Sequence, residues 1–298
     1  GEAAFLRKYT KEHPVVIMSD WDFAPYEYLS ENGKPAGYNI ELLNMIFSRL
    51  GLPCKFVMNE WHSTIDAFDA HDADLIVSIP SSHPDPHTFT SKLPLHYYNL
   101  GVATQRQKSP LKPFSQLTPD DGILAVKRGD YANKYLAANP CGAHIEYHAP
   151  KEALTGVVNG SMRGFAWEAE ALRWKIKSLH LESLRVDSTA IPVAKLHIIG
   201  YDQQLISAID DQYARLRQEG ELEVLNDKWF HPEHTHNNTS YVAIFIALGV
   251  IVAGLVIFML SQLVRLRVRK AIQQSSDLNH MMKQALDASD YQVFVHDL

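Results

Sequence analysis

The sequence predicts an α/β fold over its first 240 residues, followed by one transmembrane helix. Two observations carry this. Short apolar runs alternate with helical patterns along the front part, the signature of βαβ units and a mainly parallel sheet. Then YVAIFIALGVIVAGLVIFML, Tyr241–Leu260, runs twenty residues without a charge. At about 1.5 Å rise per residue, that run spans a hydrocarbon core about 30 Å thick.

Taken in order, Val15–Met18 is a β-branched strand ending at Ser19 and Asp20. Gly37 leads into Asn39, read as a helix N-cap, with Ile40, Leu43, Phe47 and Leu50 at helical spacing and Gly51 as the stop. Lys55–Met58 and Leu75–Ser78 read as the next strands. A second set follows at Ile123–Val126, His144–Tyr147 and Gly164–Trp167. Leu196–Tyr201 is another strand, and Leu205, Ile206, Ile209, Tyr213 and Leu216 form a helical stripe closed by Gly220. Beyond the apolar run, Val264, Val268, Ile272, Ser275, Leu278, Met282 and Ala285 recur at three- and four-residue steps. They predict a helix that continues from the span and pairs weakly with a copy of itself, as a homodimer. Ser275 and Asn279 weaken that seam, and a solvated single helix is the alternative.

The flanks orient the span. Arg265, Arg267, Arg269 and Lys270 follow it at once, whereas HPEHTHNNTS before it carries neither Lys nor Arg. The positive-inside rule then puts residues 1–240 in the periplasm or outside the cell and 265–298 in the cytoplasm. That is the topology expected of a single-pass protein of the bacterial inner membrane. A buried core helix is the alternative, and the length and basic flank speak against it. Five of the 28 Lys+Arg and four of the 34 Asp+Glu follow the span, leaving the front part at about −7. Such a balance offers no electrostatic case for nucleic acid.

The opening GEAAFL has neither an initiator Met nor a signal peptide and is read as the start of a processed or trimmed chain. Cys54 and Cys141 are read as free thiols, not a disulfide framework. His231, His234 and His236 have ligand-like spacing. With no cysteine and only Glu233 beside them they read as a hydrophilic linker, so no metal and no other cofactor is expected. The chain lacks G-x-S-x-G, P-loop and H-E-x-x-H motifs, and no catalytic residue is assigned.

Four segments match one family in order: DWDFAPYEYLSENGKPAGYNIELL (20–43), EWHSTIDAF with DADLIVS (60–78), VKRGDYANKYL (126–136) and DQQLISAIDDQYARLRQEGELEVLNDKWF (202–230). On these, residues 15–230 resemble the periplasmic solute-binding proteins of the polar amino-acid type (family 3). That family closes two α/β lobes, a Venus flytrap, around a small ligand. The last stretch, LDASDYQVFVHDL, resembles the opening of a PAS domain. Joined by one span, the whole resembles the input half of a sensor histidine kinase of the BvgS/EvgS type, whose catalytic domains lie downstream.

The resemblance implies a solute-binding domain at 1–235, with lobe 1 at 1–103 and 194–235 and lobe 2 at 104–193. A linker at 236–240, a transmembrane helix at 241–264, a signalling helix at 265–286 and a PAS-like start at 287–298 would follow. Chain crossings near Val102–Gln105 and Pro192–Lys195 would form the hinge, with the site at the carboxyl ends of the strands.

By the same resemblance, Phe23 falls where an aromatic stacks on the ligand and Trp61 where a second faces it. Core packing is the alternative for both. Asp20 either meets a ligand amine or closes an Asx turn. Ser78 and Ser81 fall on the loop that offers hydroxyls and backbone donors to a carboxylate. The family then uses an Arg there to grip the α-carboxylate with two parallel bonds. Here SIPSSHPDPHTFT has none, and the nearby His83 and His87 cannot form a guanidinium fork. Asp130 lies in the turn Arg128-Gly129-Asp130-Tyr131 that meets the ligand, where Thr is more usual. Glu168 falls at the acidic position that pairs with an α-amino group. Asp20, Asp130 and Glu168 together tilt the cleft negative, towards an amino acid or amine-bearing solute.

The expected function is therefore ligand sensing by a membrane-bound two-component sensor kinase, with a response regulator as downstream partner. A solute-binding domain tethered to or fused with an ABC-type amino-acid permease is the alternative.

Overall fold

The computed structural model describes residues 7–81 and 85–294, with side chains over the same residues except 232–243 and 288–294. The chain divides into two units, Gly1–Pro232 and Glu233–Leu298.

In the first unit the strands are β1 (Val15–Asp20), β2 (Asp22–Phe23), β3 (Glu27–Leu29), β4 (Pro35–Ala36), β5 (Cys54–Asn59), β6 (Leu75–Pro80), β7 (Phe89–Thr90), β8 (His96–Tyr98), β9 (Leu100–Gln105), β10 (Ile123–Val126), β11 (His144–Tyr147), β12 (Gly164–Glu168), β13 (Leu184–Ser188) and β14 (Ala194–Gly200). The helices between them are α1 (Tyr38–Leu50), α2 (Trp61–Asp69), α3 (Tyr131–Ala138), α4 (Pro150–Asn159), α5 (Ala169–Ser178), α6 (Gln203–Gln218) and α7 (Glu221–Phe230).

Two sheets form two lobes. The first runs β5-β1-β6-β14-β7, with β8 also on β14, and its β5, β1 and β6 are parallel. The second runs β11-β10-β12-β9-β13, with β11, β10 and β12 parallel. β14 in the first and β9 in the second are antiparallel to their neighbours β6 and β12. The short strands β2, β3 and β4 make a small antiparallel sheet just after β1.

Each lobe has its own core. Val15, Ile17, Leu42, Leu43, Ile46 and Phe47 pack with Leu205 and Ile209 in the first. Leu124, Val126, Leu154, Val157, Phe165 and Leu172 pack together in the second. Both follow from strands buried on two faces by flanking helices, which read as continuous apolar runs.

Two expectations shift. The first crossing between sheets falls at Asn99, between β8 and β9, a few residues before Val102–Gln105. Leu100 to Thr104 are buried and pair with both β12 and β13, so this run is a central strand of lobe 2 and not a hinge. The second crossing falls between β13 and β14, beside Pro192.

The other shift is at the start of α1, whose N-cap is Gly37. Asn39 lies inside the first turn, buried, and its amide donates to Glu27 Oε2 and Ser78 Oγ, both at 2.9 Å. A tertiary network claims the side chain that the local pattern assigned to capping. Cys54 and Cys141 are free thiols.

The second unit is one continuous helix, α8, Pro232–Phe294, of 63 residues. Every apolar side chain from Ile244 to Leu260 is exposed. Among the described residues α8 is long and apolar enough to cross a membrane. Residues 287–294 prolong this helix, and the remainder of the expected PAS-like start, 295–298, lies outside the described residues.

Gly37 has φ of +122°, and a Cβ there would lie 2.3 Å from the Tyr26 carbonyl oxygen. Gly37→Ala should destabilise the first unit by about 1–3 kcal/mol from backbone strain alone, and more from the clash. A denaturant midpoint equal to that of the unsubstituted chain would show that this turn is free to adjust.

Candidate functional site: the cleft between the lobes

The parallel strands of both sheets end at the same cleft. β1 delivers Asp20, β6 delivers Ser78 and Pro80, and Lys127 follows β10 directly. α2 starts at Trp61, while the turn before α3 brings Gly129 and Asp130. Phe23, Tyr98, Tyr131, Lys134, Trp167 and Leu196 complete the lining. This is the crevice outside the carboxyl ends of strands where α/β folds bind ligands. The space among these residues, part of it open to solvent, is about 380 Å³, but only about 20 Å³ of it can take the centre of a water molecule. That is room for roughly one water, so an amino acid needs the lobes to part.

Five of the sequence-predicted residues meet here: Asp20, Phe23, Trp61, Ser78 and Asp130. Asp20 closes the Asx turn and pairs with a lysine of the chain itself. Its Oδ1 accepts the Asp22 N–H at 2.9 Å, an Asx turn, while Oδ2 accepts from Lys127 Nζ. Phe23 sits among Tyr26, His96, Trp167 and Tyr98, with ring centroids 5.0–6.4 Å away. It is thus both core and pocket wall. The Trp61 indole N–H donates to the Gly129 carbonyl across the cleft at 3.3 Å.

Ser78 has a left-handed backbone, φ +59°, uncommon outside glycine. Its hydroxyl donates to Glu27 Oε2 and accepts from Asn39, and these bonds hold it in that conformation. Asp130 caps α3 by accepting from the Asn133 N–H at 3.0 Å, and its other oxygen accepts from Tyr98 OH of the opposite lobe at 2.6 Å.

Two predicted residues are not brought in. Ser81 is exposed and off the lining. Glu168 is fully buried, and its Oε2 accepts the Ala171 N–H at 2.8 Å as the N-cap of α5. His83 lies outside the described residues.

Sequence reasoning missed Lys127, Tyr98, Trp167 and Lys134. A charged residue directly after the apolar run Ile123–Val126 was the available signal for Lys127, since a parallel strand ends at the crevice there. Among the described residues no group of His, Cys, Asp and Glu is arranged to hold a metal ion.

Residues 15–232 match the family model of bacterial extracellular solute-binding proteins, family 3. The chain belongs to this family. Among its relatives, amino-acid-binding protein AabA of Dichelobacter nodosus is 25% identical over 243 residues, covering 72% of this chain and 87% of that protein. The histidine-binding periplasmic protein of Salmonella typhimurium (strain LT2) is 24% identical over 228 residues, covering 72% and 87%. In structure, a histidine kinase sensor domain with similarity to periplasmic binding proteins superposes with a TM-score of 0.66 at 24% identity, covering 73% of this chain and 96% of its own. This family 3 chain is therefore an amino-acid-type solute-binding domain followed by a helix fit to span a membrane.

Burial sets the protonation of its acids. It raises Glu168 to about 8, Glu27 to about 7 and Asp130 to about 6. An acid whose pKa is higher folded than unfolded adds stability at low pH, and this is lost as pH rises through the folded value. Burial also lowers His96, stacked on Tyr26, to about 3. That effect runs the other way, but it acts only below the ordinary histidine value of about 6.5. Between pH 6.5 and 8.5 the raised acids act in the same direction as His148, whose bonds to Glu146 and Glu152 raise its pKa. The melting temperature of the first unit should fall across that window, and Glu168→Gln, which keeps an oxygen for the helix cap, should flatten the fall. A melting temperature that rises with pH there would contradict a protonated Glu168.

Proposed function

We propose that residues 15–232 are the extracytoplasmic sensing region of a single-pass membrane sensor kinase, taking an amino-acid-type solute between the two lobes. The cleft carries this reading. Acid, hydroxyl and aromatic groups from both lobes converge at the strand ends, so a solute held there changes how the lobes meet. The likeness to a histidine kinase sensor domain supports a sensing role. So does the run from α7 directly into a single long helix with Arg265, Arg267, Arg269 and Lys270 beyond its apolar part.

In this reading the first unit faces the periplasm and α8 crosses the inner membrane. The stripe beyond residue 264 pairs with a second copy, and a PAS-like domain and kinase output follow, acting on a response regulator. The lobes divide at the crossings beside Asn99 and Pro192. Phe23 and Trp61 wall the ligand, and Asp20, Ser78 and Asp130 supply its polar contacts.

The second reading, a binding domain tethered to an ABC-type permease, draws on relatives such as the probable amino-acid ABC transporter-binding protein of Haemophilus influenzae.

Two outcomes test the proposal. Titration calorimetry of the full chain against the common amino acids should find a ligand, and Phe23→Leu with Trp61→Leu should weaken it about tenfold or more, at about 0.5–1.5 kcal/mol per lost aromatic contact. Unchanged affinity would remove the cleft from recognition. Protease added to intact spheroplasts should digest residues 1–231 and spare the segment after Arg265; the reverse pattern would invert the orientation.

A further inference from the structure

Lys127 follows β10 in lobe 2, and its amine reaches across the cleft into lobe 1. Nζ donates to Asp20 Oδ2 and to the Asp22 carbonyl at 3.1 Å, and it lies 5.3 Å from the centroid of Trp167. A carboxylate, a backbone carbonyl and an aromatic face are the three groups that would receive the ammonium of a solute. The chain's own lysine already satisfies them. Both charged side chains are 5% exposed, so neither can be stripped of its partner and fall back on water while the lobes stay closed.

We propose that Lys127 is the specificity-determining residue of the cleft: it fills the cation subsite from within, so a solute enters only by parting the Asp20–Lys127 pair and supplying an anionic group to hold the lysine. A solute bringing only a cation would satisfy Asp20 but leave Lys127 buried without a partner. One bringing only an anion would do the converse to Asp20. Each leaves one uncompensated charge in a dry cleft, which is the costly outcome for a buried pair. The tether adds to the exclusion of free amines, because a group held on the chain competes at an effective concentration of millimolar or above. The same lysine answers the missing arginine of the loop after β6, from the opposite lobe. The inference rests on the cleft being the binding site, as proposed above.

Small ions separate the two halves of the pair in the full chain in detergent. Lys127→Ala should bind n-propylammonium at least tenfold more tightly than the unsubstituted chain, read as a rise in melting temperature, because the amine replaces the lost side chain against Asp20. Asp20→Asn, nearly isosteric and so an independent check if the alanine variant folds poorly, should bind propionate at least tenfold more tightly through the freed Lys127. The double variant should lose both gains. Equal n-propylammonium binding by the unsubstituted and Lys127→Ala chains would overturn the proposal. So would a propylammonium gain that survives in the double variant, or the absence of a propionate gain in Asp20→Asn. These titrations report the cleft and not signalling, so they stand even if the sensor reading fails.

Discussion

The buried ion pair between Asp20 and Lys127 joins residues 107 positions apart on different lobes, and the cleft is organised around it. Such pairs are weak stabilisers, since removing two charges from water costs about as much as their attraction returns. Their strength lies in what they forbid. Taking one partner away costs about 3–5 kcal/mol, because the other is left charged and dry. The pair therefore selects one lobe arrangement more than it strengthens it. Its neighbours act in the same sense. Tyr98 OH to Asp130 at 2.6 Å, Trp61 to the Gly129 carbonyl at 3.3 Å and Lys175 to Asp22 at 2.5 Å all cross the cleft. Each bond is directional, so together they fix a single register of closure.

Charge counted along the chain differs from charge felt in the cleft. Asp20, Asp130 and Glu168 read as three acids facing one ligand. Folding gives Asp20 a cation, gives Asp130 a tyrosine hydroxyl and a helix terminus, and buries Glu168 as a cap whose pKa near 8 leaves it mostly protonated at neutral pH. The negative tilt is largely spent on internal partners. What faces a solute is a nearly balanced pair beside aromatic walls.

The parts of this structure legible in sequence are those with local causes. The strands at Ile123–Val126 and His144–Tyr147 begin and end where the apolar runs do, and α6 follows its stripe to a left-handed Gly220. Asp20 was legible because a parallel strand ends at the crevice, whereas Ser78 and Asp130 were placed there only by the family resemblance. The parts that were not legible have distant causes. β2 and β4 are two residues long, too short to show a period. Asn39 looks like a cap until Glu27 and Ser78 claim its amide. Lys127 looks like a turn residue until lobe 1 is placed against it. Glu168 matched a family position, yet the side chain turned to the nearest orphan N–H, that of Ala171.

The cleft is also continuous with the end of the first unit. Phe23, a pocket wall, packs on Tyr26 at 5.0 Å, and Tyr26 packs on Phe230 at 5.5 Å. From lobe 2, Trp174 packs on Trp229 at 6.1 Å, with Tyr28 at 6.3 Å from each. Trp229 and Phe230 are the last two residues of α7, directly ahead of α8. A movement of lobe 2 would therefore repack Trp229 against Trp174, and a displacement of Phe23 would reach Phe230 through Tyr26. Contiguity alone transmits nothing: coupling needs two arrangements and a ligand that favours one of them. In the proposed reading, the Asp20–Lys127 contact is what the second arrangement would lose, and a solute that satisfies both charges would favour that arrangement.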